Sequence, residues 1–224
     1  MRNILVTGAG GSLGSAVVEK FKREGYQVIG LLRPNSGEES EESDYTYEVD
    51  VTDESSVSEF VKEYQMQYGE LDAVAMIVGG FAMGSIEETT QKDLLDMFHL
   101  NFLSAFNLVK GFLPLMKKQQ SGTFLFVGAR PALQPADAKG TLAYSLSKKM
   151  VISLSEILAE EVKGTDIRTH VFVPSIIDTP ANREAMPDSD FSKWVNPADI
   201  AEAMHYAVNT PSLRQMTFKL YGGV

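Results

Sequence analysis

Cysteine is absent from all 224 residues, which excludes disulfides, thiolate nucleophiles and cysteine-held zinc. The three histidines, His99, His170 and His205, lie too far apart to form a local metal motif, so no metal site is expected. Positive charge is scarce: 20 Lys+Arg against 30 Asp+Glu leave a net charge of −10. Nucleic acids and anionic membranes are bound through clustered cations, so neither is expected as the main partner. Long hydrophobic runs are missing as well. The longest uncharged, mostly apolar stretch, Ala73 to Ile86, is too short and too glycine-rich to span a bilayer. The N-terminus reaches a glycine cluster after three apolar residues, so no signal peptide is visible. The expectation is an acidic, soluble, cytoplasmic protein acting on a small molecule.

What is present is ordinary globular composition, 44% hydrophobic and 22% charged, in a length that suits one domain over residues 1–224. Apolar runs alternate with helical patterns. Strands are expected at Ile4–Val6, Gln27–Leu32, Tyr45–Val49, Ala73–Val78, Thr123–Val127, Ile167–Val173 and Met216–Leu220. Between them, helical spacing runs from Leu13 to Phe21 and from Val57 to Tyr68, capped by Thr52 or Asp53. One long helix is expected over Lys92–Met116, with Leu95, Phe98, Phe102, Phe106 and Val109 as its stripe, then others over Thr141–Val162 and Pro197–Val208. Strands separated by helices imply right-handed crossovers and an α/β, doubly wound, mostly parallel sheet with helices on both faces. One biased segment stands out: Glu38 to Asp44 carries five acids and no base, half of the net charge, and reads as a solvated loop.

The first chemical signal is Thr7-Gly8-Ala9-Gly10-Gly11-Ser12-Leu13-Gly14, after a strand and at the start of a helix. Glycines there permit a tight turn and close approach of backbone to a pyrophosphate, which the N–H groups and dipole of the helix N-terminus then hold. No Gly-x4-Gly-Lys-Ser/Thr occurs, which disfavours a mononucleotide P-loop. The second strand ends in Leu32-Arg33-Pro34, with a cation where an NAD site would offer a carboxylate to the ribose 2′-hydroxyl. NADP(H) is therefore favoured over NAD(H), although the nearby acidic run pulls the other way. The second signal is Tyr144-Ser145-Leu146-Ser147-Lys148: at i and i+4 on a helix, phenol and ammonium share one face. A nearby cation is expected to lower the tyrosine pKa and suit it to proton donation.

Thr7-Gly8-x3-Ser12-x-Gly14, Asp50-Val51, Asn101, Tyr144-x3-Lys148 and Pro174-Ser175-Ile176-Ile177-Asp178-Thr179-Pro180 together resemble the short-chain dehydrogenase/reductase family over essentially the whole chain. That resemblance implies a Rossmann-like sheet of seven strands and hydride transfer from a nicotinamide. It implies Tyr144 as the acid, Lys148 as the residue holding the nicotinamide ribose and tuning Tyr144, and Asn101 as the anchor of a proton-relay water. Gly8, Gly10, Gly11, Ser12, Leu13 and Gly14 would cradle the pyrophosphate and Asp50 and Val51 would flank the adenine. Val78, Gly79 and Gly80 would line the cofactor, and Pro174, Ile177 and Thr179 would lie near its carboxamide and phosphates.

Two departures narrow the family. The serine that the family carries after its fifth strand is replaced by Ala129, and a glycine of the cofactor loop by Ser12. Both resemble the dihydropteridine reductases, as do Gly79-Gly80-Phe81 and the run Asp178-Thr179-Pro180-x-Asn182-Arg183-x2-Met186-Pro187-x2-Asp190-Phe191-Ser192-x-Trp194. Reduction of a quinonoid dihydropterin needs one proton and tolerates the loss of a donor that would polarise an isolated ketone. Asn101 and Arg33 fit the mainstream family better. Substrate contacts are expected from Phe81, Ala129, Met186, Phe191 and Trp194, with residues 181–194 as the cover. Thr141 could supply a hydroxyl in place of the missing one or cap its helix. The other readings are a carbonyl reductase or alcohol dehydrogenase with another substrate, and a non-catalytic NADP(H) sensor. Apolar residues on more than one face of the two long helices point to a homodimer or homotetramer.

Overall fold

The computed structural model describes residues 1–223. Seven strands form one parallel sheet in the order β3-β2-β1-β4-β5-β6-β7. They are β1 (Asn3–Thr7), β2 (Gln27–Leu32), β3 (Tyr45–Glu48), β4 (Ala73–Met76), β5 (Ser121–Val127), β6 (Asp166–Pro174) and β7 (Gln215–Leu220). The order reverses between β1 and β4, which opens a crevice at the carboxyl ends of the strands, where doubly wound folds bind ligands. β1 and β4 are buried along their whole length, the reason they read as continuous apolar runs.

The two faces of the sheet hold separate cores. α1 (Ser12–Arg23) covers one face, where Leu13, Val17, Val18 and Phe21 pack with Ile4, Val6 and Val28. α2 (Glu54–Gln67) covers the other, Val57, Phe60, Val61 and Tyr64 packing with Leu5, Ile29 and Val74. Asp53 caps α2 by accepting from the Ser55 N–H at 3.0 Å. That bond offsets one of the four unpaired donors of the helix start.

The expected long helix is three pieces. α3 (Gln91–Met97) leads into a π-helical turn over Phe98–Leu103, followed by α4 (Ser104–Gln119). The stripe also differs in part from the sequence reading. Val109 is buried as expected, together with Met97, Asn101, Ala105, Leu108, Phe112 and Met116, whereas Leu95 is half-exposed and Phe98, Phe102 and Phe106 form a partly exposed stack. Aromatic bulk misleads here because two apolar stripes lie side by side, and the wider π turn shifts the phase between them. β4 ends at Met76, two residues short of the expected Val78, because Thr7 Oγ1 takes the next two amides, Ile77 N at 2.9 Å and Val78 N at 3.1 Å.

After β5 come two short pieces, α5 (Arg130–Leu133) and a 3-10 turn at Pro135–Ala138, and then α6 (Leu142–Glu161). α7 (Pro180–Ala185) and a 3-10 turn at Phe191–Lys193 give residues 181–194 more structure than their turn-forming composition implies. α8 (Pro197–Val208), capped by Asn196, packs beside α1. Among the described residues, no helix is long and apolar enough to cross a membrane, and no group of three or more His, Asp or Glu is placed to hold a metal ion.

Candidate active site

The glycine loop joins β1 to α1 at the crevice. Gly8 has φ +62°, a left-handed conformation, and its carbonyl accepts from Gly11 N at 3.0 Å. A β-carbon at Gly14 would lie 1.9 Å from the Gly8 carbonyl oxygen and 2.9 Å from Ala9 Cα, so no side chain fits there without moving the backbone. Gly11 occupies the N-cap of α1, with no side-chain cap bond and no acid in the first turn. Ser12, Leu13 and Gly14 thus open a helix whose N-terminus is unclaimed by any side chain. This is a cradle for an anion.

Asn101 joins three elements. Its Nδ2 donates to Gly80 O at 3.1 Å and to Ser147 Oγ at 2.9 Å, and its Oδ1 accepts from Gly80 N at 2.9 Å. Ser147 Oγ in turn donates to Tyr144 O at 2.8 Å. The π turn aims Asn101 inward, and the reciprocal pair pins the Val78-Gly79-Gly80 turn against α6. Lys148, buried, donates to Val127 O at 3.0 Å. A β-carbon at Gly79 would come within 2.6 Å of Asn101 Oδ1 and 2.9 Å of Lys148 Nζ, so the turn is glycine because two polar side chains press against it.

Burial sets the ionisation here. It lowers the Lys148 ammonium to about 8 and raises the Tyr144 phenol to about 12. The expected cationic lowering of Tyr144 is therefore not what this structure has: Lys148 is spent on the Val127 carbonyl, and desolvation governs the phenol. Thr141 also departs from expectation. It stands at the N-cap of α6 without a side-chain cap bond, its hydroxyl shared with Ser145 Oγ at 3.0 Å. Ala129, after β5, is buried and brings a methyl group only. Because Lys148 binds Val127 O, the residues just beyond Val127 emerge beside the turn of α6 that carries Tyr144.

The remaining candidate residues, Arg33 aside, fall into four groups. Phe81, 59% exposed, meets Tyr144 edge-on with ring centroids 5.0 Å apart. Phe191 and Trp194 pack on each other at 4.7 Å, with Arg183 over Phe191 and paired to Asp178, and Met186 closes α7. No aromatic contact joins these two groups among the described residues. Thr179 caps α7 by accepting from Asn182 N, Ile177 bridges to Val195, and Pro174 ends β6. At the other end Asp50 is exposed and binds Thr52, while Val51 is buried.

Arg33 is exposed and forms no ion pair among the described residues. The acidic run is more than a solvated loop. Its side chains reach solvent, but its backbone sits on the glycine loop, where a β-carbon at Gly10 would meet Glu39 O at 2.7 Å. Glu38 to Glu41, with Leu32, Thr46, Tyr47 and Glu48, line a cleft of about 370 Å³. Charge density alone could not reveal this, since the contact is made by main chain. Ser147 and Thr7 were within reach of sequence reading, one inside the Tyr-x3-Lys motif and the other before the first glycine.

An anion cradle at a topological switch point, beside a buried lysine and a phenol on one helix face, defines a dinucleotide-dependent oxidoreductase. The family described as short chain dehydrogenase matches residues 2–190, and the chain belongs to it. It is 28% identical to an uncharacterized oxidoreductase of Staphylococcus aureus, over 93% of this chain and 91% of that one. It is 26% identical to a dihydropteridine reductase of Dictyostelium discoideum, over 94% and 90%. Among solved structures, Thermoplasma acidophilum aldohexose dehydrogenase superposes with TM-score 0.87 at 23% identity, over 99% of this chain and 93% of that one. ElxO with NADP bound superposes with TM-score 0.86 at 22% identity, over 97% of each chain. The chain is an oxidoreductase of this family.

Proposed function

We propose that the chain works as one cytoplasmic unit that reduces a flat, conjugated, pterin-like substrate with NADPH, and that residues 181–194 cover that substrate. The observation that carries this reading is the pairing of an intact Tyr144–Lys148–Asn101 set with a methyl group at Ala129. The residues fit a dinucleotide: the Gly14 cradle excludes any side chain, and Gly8 to Gly14 with the unclaimed start of α1 would hold the pyrophosphate. Lys148, Val78, Gly79, Gly80, Pro174, Ile177 and Thr179 would hold the nicotinamide end, and Asp50 and Val51 the adenine. When bound, the nicotinamide supplies the hydride. Tyr144, its phenol held at about 12, keeps its proton through the neutral range and donates it from Oη. Lys148, lowered to about 8, has an exchangeable proton near neutrality to restore it. Asn101 holds the Gly80 turn and anchors the water through which that proton returns. With Ala129 in place there is no second donor to polarise an isolated carbonyl, so a substrate whose ring already accepts hydride readily is favoured.

Cofactor absorbance tests the reading directly. Quinonoid dihydrobiopterin should be reduced with NADPH, and Tyr144→Phe should lower kcat by roughly 10²- to 10⁴-fold with cofactor affinity unchanged. Turnover of simple ketones or aldehydes but not of the pterin would replace it with the carbonyl reductase reading. Arg33 supports NADP(H), being a cation at the end of β2 with no ion-pair partner among the described residues. Arg33→Ala should lower the NADPH/NADH preference about tenfold, and an unchanged ratio would remove that assignment. A second copy of the chain is supported by the half-exposed Leu95, Leu146, Met150 and Ile157 on α3 and α6, so we take the working form as a homodimer.

A further inference from the structure

The residue after Ala129 has no role in the chemistry above, yet it is held unusually well. Arg130 donates through Nε to Asp137 Oδ2 at 2.7 Å and to Gln134 Oε1 at 3.1 Å. Its guanidinium lies 5.2 Å from the ring centre of Tyr221. The two terminal nitrogens have no hydrogen-bond partner among the described residues. One edge and one face of the fork are fixed, and the side chain is still about three-tenths exposed. An arginine anchored in this way has already lost its rotamer freedom, so its free donors can bind with little further ordering cost. Beside it, the Tyr221 phenol oxygen is buried without a partner, and Asp137, one-third exposed, has a second carboxylate oxygen with no partner in the protein among the described residues. Buried polar atoms are satisfied in nearly all folded proteins, so the phenol oxygen marks a place for an internal water, and the free donors and acceptor open to a ligand are those of Arg130 and Asp137.

We propose that Arg130 and Asp137 form the recognition edge of the substrate site, reading a carbonyl beside a ring N–H on a flat heteroaromatic substrate. Arg130 donates to the carbonyl oxygen and Asp137 accepts from the N–H, the complementary pattern of a lactam edge. Tyr221 holds the guanidinium plane through its ring. The inference rests on the pterin-like reading and names the substrate feature that gives specificity. It also explains how a site without the serine donor orients its substrate: the polar contact has moved one residue along the chain, from the reacting centre to the far edge of the ring.

Calorimetric titration of the protein saturated with NADP⁺ tests this without turnover. The two probes are pterin, which has the lactam edge, and 2,4-diaminopteridine, which is nearly isosteric and lacks it. The wild type should bind pterin at least tenfold more tightly. Arg130→Gln should abolish that preference while leaving the affinities for NADP⁺ and 2,4-diaminopteridine unchanged. If that variant does not fold, Arg130→Lys decides, since it keeps the charge and loses the fork, and should lose most of the preference. Equal weakening of both probes would show a structural clamp, and an undiminished preference in a folded variant would show no contact. Either result overturns the proposal, as does a wild type without preference. A wild type that keeps the preference but does not reduce quinonoid dihydrobiopterin would leave Arg130 in place and remove the reductase reading alone.

Discussion

Around Gly8–Gly14 the crevice is made of main chain, whereas around Ala129 it is made of side chains tied to one another across long stretches of sequence. In the first region the Gly8 carbonyl, the unclaimed start of α1 and the backbone of Glu39 all approach within distances that only glycine allows. In the second, Asn101 holds Ser147, Arg130 holds Asp137 and lies over Tyr221, and Lys148 holds the Val127 carbonyl, contacts that draw on separate parts of the chain. The glycine-loop region is therefore fixed through steric exclusion and depends little on side-chain identity elsewhere. The region around Ala129 depends on side-chain contacts, and networks lose more than one contact when one member is removed.

The largest expected effect is with acid, in the sheet that carries both regions. His170 is fully buried in β6, between β5 and β7, with neither ring nitrogen bonded among the described residues, and burial with help from Arg168 lowers it from 6.5 to about 4. A base whose folded value is depressed is neutral in the native state and charged in the unfolded one below pH 6.5. Its contribution is whole above that pH, is lost as pH falls towards 4, and changes no further below. The whole window is worth roughly 3 kcal/mol. Urea midpoints at pH 7.5 and 4.5 should fall much more for the wild type than for His170→Leu; parallel falls would show that β6 is not where acid acts.

A smaller effect, on the glycine-loop region, should follow Gly14→Ala. Overpacking costs roughly 1–3 kcal/mol, and the clash here is with backbone that cannot turn aside. Dinucleotide affinity should drop by about 30-fold or more at unchanged affinity for pterin, as read by titration. Retained cofactor binding would show that the loop is softer than its contacts imply. The smallest effect belongs to the cover. Phe191→Ala with Trp194→Ala should raise KM for a flat heteroaromatic substrate by about tenfold, since the two rings pack on each other and present only part of their apolar surface to a ligand, and leave KM for a small aldehyde within twofold. Equal changes for both substrates would mean that the pair only braces residues 181–194 against their own α7.

How much of this could be read in advance follows from the range of the interactions. The glycine loop and Tyr144-x3-Lys148 were legible because each is a local geometric requirement: a positive φ, a missing β-carbon, two side chains one helical turn apart. β2 and α8 were legible to the residue because their boundaries coincide with local stop signals and a proline at the helix start. The break in the long helix was not, since the π turn at Phe98–Leu103 brings Asn101 to Gly80 and Ser147, contacts 21 and 46 residues away in sequence. The acidic segment gave only its charge, and the packing of its backbone on Gly10 has no compositional trace.

By itself, then, the amino-acid sequence determined the order of strands and helices, the parallel sheet that follows from it, the anion cradle and the phenol–ammonium pair. Periodicity and backbone sterics act within a few residues and leave a mark that needs no fold to be read. Tertiary structure alone decided the ionisation of Tyr144, which follows desolvation and not its lysine neighbour, and the anchoring of Arg130 on Asp137 and Tyr221. Both depend on which groups share a small volume away from water. Burial and long-range pairing are properties of the folded chain, and no spacing of residues along it encodes them.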